Sequence, residues 1–180
     1  MSSKYKVRNQ EALHFVTATI IDWVDLFTRP IYKHILVESL EYCQNKKDLK
    51  VHAYVIMTSH IHLIVSSSGS NLEDIIRDFK KYTSKELLAA IKEHPESRRE
   101  WLLNKFSYAA NRIKRGANFK IWKDGFHPVE LATTEMLTQR LDYVHKNPVE
   151  EEIVIKPEDY KYSSAIDYAG GKGVLSLVQI

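Results

Sequence analysis

The stretch MTSHIHLIV, residues 57–65, sets His60 and His62 one residue apart at the head of an apolar run. Side chains alternate across a strand, so both imidazoles face one way while Ile61, Leu63 and Val65 face the other. Two imidazoles on one face are able to hold a divalent ion, but a His-x-His pair is equally the pattern of two hydrogen-bonded or exposed histidines. More ligands must come from elsewhere, because the nearest carboxylates, Glu73 and Asp74, lie across a turn. In LDYVHKNPV, residues 141–149, Tyr143 and Asn147 are four apart and share a helix face, with His145 pointing away. If that face covers the imidazoles, Asn147 adds an oxygen ligand and Tyr143 brings its hydroxyl to whatever the ion binds. The alternative is a tyrosine packed at a helix end, with Asn147 before Pro148 acting as a stop.

The elements that must position these groups follow from periodicity. Residues 12–21, ALHFVTATII, read as a strand, and Pro30 opens an amphipathic helix that runs to about Lys46. Residues 50–57 and 60–67 make two strands joined through Thr58 and Ser59, a connection short enough to require an antiparallel hairpin. Asn71 caps a long helix in which Leu72, Ile75, Ile76, Phe79, Tyr82 and Leu87 recur at three or four, ending before Pro95. A short helix is expected around Arg99 to Ala109, followed by an exposed loop, RIKRGAN. FKIW and FHPVEL, separated by Lys123, Asp124 and Gly125, predict a second hairpin, and a helix from Thr134 is expected to end near Pro148. The order β-α-β-β-α-β predicts an α+β, ferredoxin-like architecture: a mostly antiparallel sheet with helices packed on it.

A chain of 180 residues fits a single domain, 1–180, with its core over roughly residues 10–170. Cys43 stands alone, which excludes an internal disulfide, a Cys-x-x-Cys redox site and a thiolate zinc cluster. The first residues lack the apolar core of a signal peptide, and no stretch approaches the roughly 18 apolar residues of a membrane span, so a cytoplasmic protein without a membrane partner is expected. Net charge is only +3, but the segment from Arg77 to Lys123 carries 13 Lys/Arg against 5 Asp/Glu, which leaves the rest of the chain at −5. Aromatic residues lie among these charges, a combination suited to phosphate contact and base stacking; a solvated basic helix face with core aromatics is the plainer alternative. The candidates for phosphate contact are Arg77, Lys80, Lys81 and Lys85 on the long helix, and Arg112, Lys114 and Arg115 in the loop.

Five segments, MTSHIHLIV, FKKYTSKEL, IWKDGFHPVEL, LDYVHKNPV and EDYKYSS, occur in the order found in REP-associated tyrosine transposases, relatives of the single-tyrosine transposases of small bacterial insertion sequences. The resemblance implies a ferredoxin-like fold, a His-hydrophobe-His metal site at His60 and His62 completed by Asn147, and a nucleophilic tyrosine at Tyr143. It further implies Mg²⁺ or Mn²⁺ as cofactor, hairpin-bearing single-stranded DNA as partner, a possible homodimer, and nicking and rejoining through a 5′-phosphotyrosine. Tyr82, in a lysine-rich setting but without a polar residue four positions on, is the rival nucleophile. The chain departs from the family in having Thr58-Ser59 where relatives read Pro-Asn or Pro-Asp, and in Glu150-Glu151-Glu152 after the helix, charges that repel a phosphate backbone. Two other classes remain open: a metal-dependent nuclease that activates water, and a nucleic-acid binding module without catalysis.

Overall fold

The computed structural model describes residues 7–112, 116 and 118–180, so Lys114 and Arg115 lie outside the described residues. Strands β1 (His14–Thr19), β2 (Leu49–Ile56), β3 (His60–Ser67) and β4 (Val129–Glu130) form one sheet in the order β2-β3-β1-β4. Every neighbouring pair is antiparallel. Helix α1 (Pro30–Lys46) connects β1 to β2, and α2 (Leu72–Glu93) with α3 (Arg99–Asn111) leads from β3 toward β4. Helix α4 (Thr134–Glu150) and the short α5 (Ala165–Tyr168) follow. This is the expected ferredoxin-like α+β arrangement.

Local chemistry accounts for the element ends. Pro30 occupies the first turn of α1, where its missing N–H costs nothing. The Asn71 side chain accepts from the Asp74 N–H at the start of α2, and the Thr133 hydroxyl accepts from the Met136 N–H at the start of α4. The β2-β3 hairpin closes with the Met57 N–H donating to the His60 carbonyl at 2.8 Å. Both faces of β3 are buried. Ile61, Leu63 and Val65 point into the main core beneath the packed pair α1 and α2, whereas the face carrying the imidazoles is covered by α4.

Three expectations are corrected. FKIW and FHPVEL do not pair with each other; both run along β1. Trp122 bridges Ile20, and farther along Val129 and Glu130 pair with Phe15 and His14. The Asp124-Gly125 signal marks an outward bulge on this edge, held by the Lys80 ammonium, which donates to the carbonyls of Lys123 and Gly125 at 2.7 and 3.1 Å. Helix α4 continues past Pro148 to Glu150. Its last turn is secured by the Glu151 N–H on the Asn147 carbonyl and the Ile153 N–H on the Pro148 carbonyl, so the proline is accommodated within the final turn. On α2 the buried stripe passes through Thr83, not Tyr82, which is 56 % exposed. Thr83 Oγ1 donates to the Phe79 carbonyl and accepts from the Trp122 indole N–H.

The segment EDYKYSS closes the free edge of β2. The Ile56 N–H donates to the Tyr162 carbonyl, the Ser164 N–H to the Tyr54 carbonyl, and the Tyr160 hydroxyl to the Ile56 carbonyl. The C-terminal end of an edge strand is thereby paired by the chain's own tail. Among the described residues, no helix is long and apolar enough to cross a membrane.

Candidate active site

The β1-β3 register places Thr17 opposite His62 and Thr19 opposite His60, so Phe15, Thr17 and both imidazoles share one sheet face. The two imidazole centroids are 4.7 Å apart. Each ring has its Nδ1 against a hydroxyl: Thr17 Oγ1 lies 2.8 Å from His62 Nδ1, and Ser59 Oγ lies 3.1 Å from His60 Nδ1. A tautomer that donates from Nδ1 to these hydroxyls leaves Nε2 of each ring with its lone pair free. Phe15 stacks on His62 at 5.2 Å, and the Trp23 indole meets His60 edge-on at 5.4 Å.

Helix α4 brings its own face down on this floor. The Tyr143 ring sits 5.1 Å from His62 and 6.1 Å from Phe15, with the side chain 37 % exposed. One turn later Asn147 is buried, and its Oδ1, like Nε2 of His62, has no hydrogen-bond partner. A buried polar atom left unpaired costs about 1–3 kcal/mol, and two of them, one on the sheet face beside Tyr143 and one a helix turn after it, make an arrangement that asks for a ligand. Arg140, one turn before Tyr143, holds its guanidinium 4.9 Å over the Phe15 ring and puts a cation at the site mouth.

Burial keeps both imidazoles neutral. It lowers His60 below the ordinary imidazole value, partly offset by the Glu151 carboxylate, and pushes His62 down to about 3 with help from the neighbouring His60 and Arg140 charges. Neutral imidazole is the form that binds metal. Two such rings and an amide oxygen, two of whose atoms are buried and unpaired, fit a divalent cation. Among the described residues no cluster of three or more His, Cys, Asp or Glu side chains could hold one, so a set built on His60 and His62 needs a donor of another kind, such as the amide of Asn147. His145 turns away as expected, with Nε2 2.9 Å from Ser164 Oγ and its ring against Tyr168.

The expected phosphate contacts fare differently from one another. Arg77 is paired with Asp74 and Asp78, and Lys80 is committed to the Lys123 and Gly125 carbonyls. Arg77, Lys80 and Lys81 nevertheless line an open cavity of about 650 Å³ with Lys120, Lys123 and Phe119. Lys85 borders a second cavity beside Tyr82, and Arg112 lies over the Tyr108 ring at 5.9 Å. The first cavity adjoins the histidine end of β1, because the Lys123 N–H donates to the carbonyl of Thr19, the partner of His60. Sequence reasoning missed Thr17, Ser59, Phe15, Trp23 and Arg140. Of these, Arg140, three residues before Tyr143 on one helix face, carried a readable signal, and Ser59 stood out as a departure from the family pattern without a role.

Fold and site together define a ferredoxin-like α+β protein in which a helical tyrosine is set over two neutral imidazoles. Residues 9–114 match the family described as "Transposase IS200 like", and the chain belongs to that family. The matched stretch contains His60 and His62 and stops before Tyr143 and Asn147. A solved REP-associated tyrosine transposase bound to a REP hairpin is similar over 99 % of this chain and 93 % of that one, with 17 % identity and a TM-score of 0.61, and so shares the fold. A Deinococcus radiodurans R1 chain described as a transposase aligns over 80 % of this chain and 92 % of its own, at 14 % identity and a TM-score of 0.44. No curated protein matches the sequence.

Proposed function

We propose that this chain nicks and rejoins single-stranded DNA beside hairpins through a covalent 5′-phosphotyrosine formed by Tyr143, with a divalent cation held by His60, His62 and Asn147. The observation that carries the reading is a pair of buried, unpaired atoms able to ligate, His62 Nε2 beside the Tyr143 ring and Asn147 Oδ1 one helix turn after Tyr143. A bound cation supplies Lewis acidity to the scissile phosphate, and two nitrogen donors favour Mn²⁺ over Mg²⁺.

The phenol oxygen of Tyr143 forms the new bond to phosphorus while the bond to the 3′ oxygen breaks, and the leaving oxygen takes a proton from solvent to become a free 3′-OH. Partial exposure of Tyr143 lets its hydroxyl proton leave to solvent. The phosphotyrosyl ester conserves the energy of the broken linkage, so another 3′-OH can displace it and restore the phenol. Arg140 offers its guanidinium to a non-bridging phosphate oxygen, and Lys81 and Lys123 of the 650 Å³ cavity take the phosphates farther along the strand. Hairpin DNA as the partner is supported by the likeness to a chain solved on a REP hairpin. One nucleophilic tyrosine per active site makes a full cut-and-join cycle natural for a homodimer acting in the cytoplasm.

The test is a gel with labelled hairpin-bearing single strands, with and without Mn²⁺. Wild type should give a protein-linked band that Tyr143→Phe and His60→Ala both lose. Cleavage that survives Tyr143→Phe without an adduct would identify a water-activating nuclease, and binding with no nicking under any condition would identify a module without catalysis.

A further inference from the structure

The turn after β1 (Ile21–Trp23) holds Asp22 and Trp23 at φ values of 52° and 57°, two successive residues with a Cβ in the left-handed region. That conformation is unfavourable for both, and it persists only where the surroundings impose it. Here they do. Ile20 before the turn and Val24, Leu26 and Phe27 after it are buried, the Ile21 N–H donates to the Ile121 carbonyl at 2.7 Å, and the Asp22 carboxylate meets Lys105 Nζ at 3.1 Å. The product of this constraint is a tryptophan 60 % exposed beside the candidate site, meeting His60 in an edge-on ring contact. The fold thus accepts strain and leaves a tryptophan wet beside the candidate ligands.

Resting on the proposed DNA chemistry, we propose that Trp23 is the stacking platform for a nucleobase next to the phosphate brought to Tyr143. The indole is rigidly presented, and every base offers a π-face to it whatever its identity. A nucleic acid fits better than a protein segment because the backbone that pins the turn also leads into the basic cavity: Ile121 lies between Lys120 and Lys123, both of which line that cavity. Lys120 is ion-paired with Asp124, so a strand whose phosphates meet Lys81 and Lys123 is led by this segment toward the turn that carries Trp23 beside His60. Trp122 is no substitute, being buried with its indole N–H on Thr83. Trp23 positions substrate; it takes no part in bond making.

The experiment uses the full chain carrying Trp101→Phe, titrated with a short oligothymidylate in the presence of a chelator, with tryptophan emission and fluorescence anisotropy as readouts. Stacking predicts quenching on binding, an affinity loss of about 5- to 150-fold in Trp23→Ala and Trp23→Leu, and near-complete retention in Trp23→Phe. Far-ultraviolet circular dichroism and melting curves check that each variant is folded. A strand with one abasic position should lose affinity for wild type and none further for Trp23→Ala. Unchanged affinity in folded Trp23→Ala would overturn the proposal, as would a change in oligomeric state alone, which would make the face a self-association surface. Because this assay needs neither metal nor Tyr143, absence of a covalent adduct with quenching intact would sink the phosphotyrosine reading alone.

Discussion

At the scale of single residues, the site is organised around which nitrogen of each imidazole is free. Thr17 and Ser59 hold the Nδ1 positions, so their hydroxyls should matter to metal affinity without touching metal. Thr17→Val and Ser59→Ala are each expected to weaken Mn²⁺ binding about 10- to 100-fold by titration calorimetry, whereas Tyr143→Phe should leave it unchanged. Asn147 makes an opposite pair of effects testable. Asn147→Leu should abolish tight Mn²⁺ binding yet raise stability in chelator by about 1–3 kcal/mol, because it removes an unpaired buried oxygen. Loss of stability in that variant would show that Asn147 serves the fold. His60, His62, Tyr143 and Asn147 were legible in the sequence because strand alternation and the helical repeat relate residues on one element. Thr17 was not, since only the β1-β3 register brings it to His62, and Ser59 stood in plain view as an unexplained departure. Its hydroxyl at His60, with the Thr58 and Ser59 carbonyls accepting from the Phe27 and Ile20 N–H groups, gives both residues their place.

At the scale of elements, α4 is what turns a histidine pair into a site, and its position depends on both ends. Removing the cap in Thr133→Ala should cost about 1 kcal/mol and fray the first turn ahead of Arg140 and Tyr143. The edge of the sheet beside the site depends on Thr83, whose hydroxyl receives the Trp122 indole N–H. Thr83→Val keeps the volume but strands that buried donor, and urea denaturation should register about 1–3 kcal/mol of destabilisation. Strands β1 to β3 and helices α1, α2 and α4 were readable because each has a strong period, although α4 runs on past the proline that signals its end. The edge segment was misread for a physical reason. Asp-Gly between two β-prone runs is a local hairpin signal, but here a distant lysine, Lys80, takes the bulge's carbonyls while each run finds β1 as its partner. The same nonlocality hid the pairing of EDYKYSS with the β2 edge.

At the scale of the whole molecule, charge and protonation set how the protein responds to its solvent. Burial lowers His52, His60, His62 and His145, the last to about 4, so the unfolded chain binds protons that the folded chain refuses. Stability contributed by these neutral rings is present above the ordinary imidazole value near 6.5 and is lost as pH falls through it. Melting curves in chelator should therefore show Tm dropping from about pH 7 to about pH 5; a rise would contradict the assignment. DNA affinity should fall steeply with salt, and neutralising Lys81 and Lys123 together should flatten the dependence of log Kd on log salt by about 1.4. Arg77, already paired with two aspartates, should contribute less.

The most direct test of the central claim is mass spectrometry of wild type after incubation with hairpin-bearing single-stranded DNA and Mn²⁺, followed by nuclease and protease digestion. The account predicts a nucleotide remnant bonded to the peptide containing Tyr143 and absent from Tyr143→Phe. A remnant on Tyr82, or cut DNA with no protein-linked nucleotide, would contradict it.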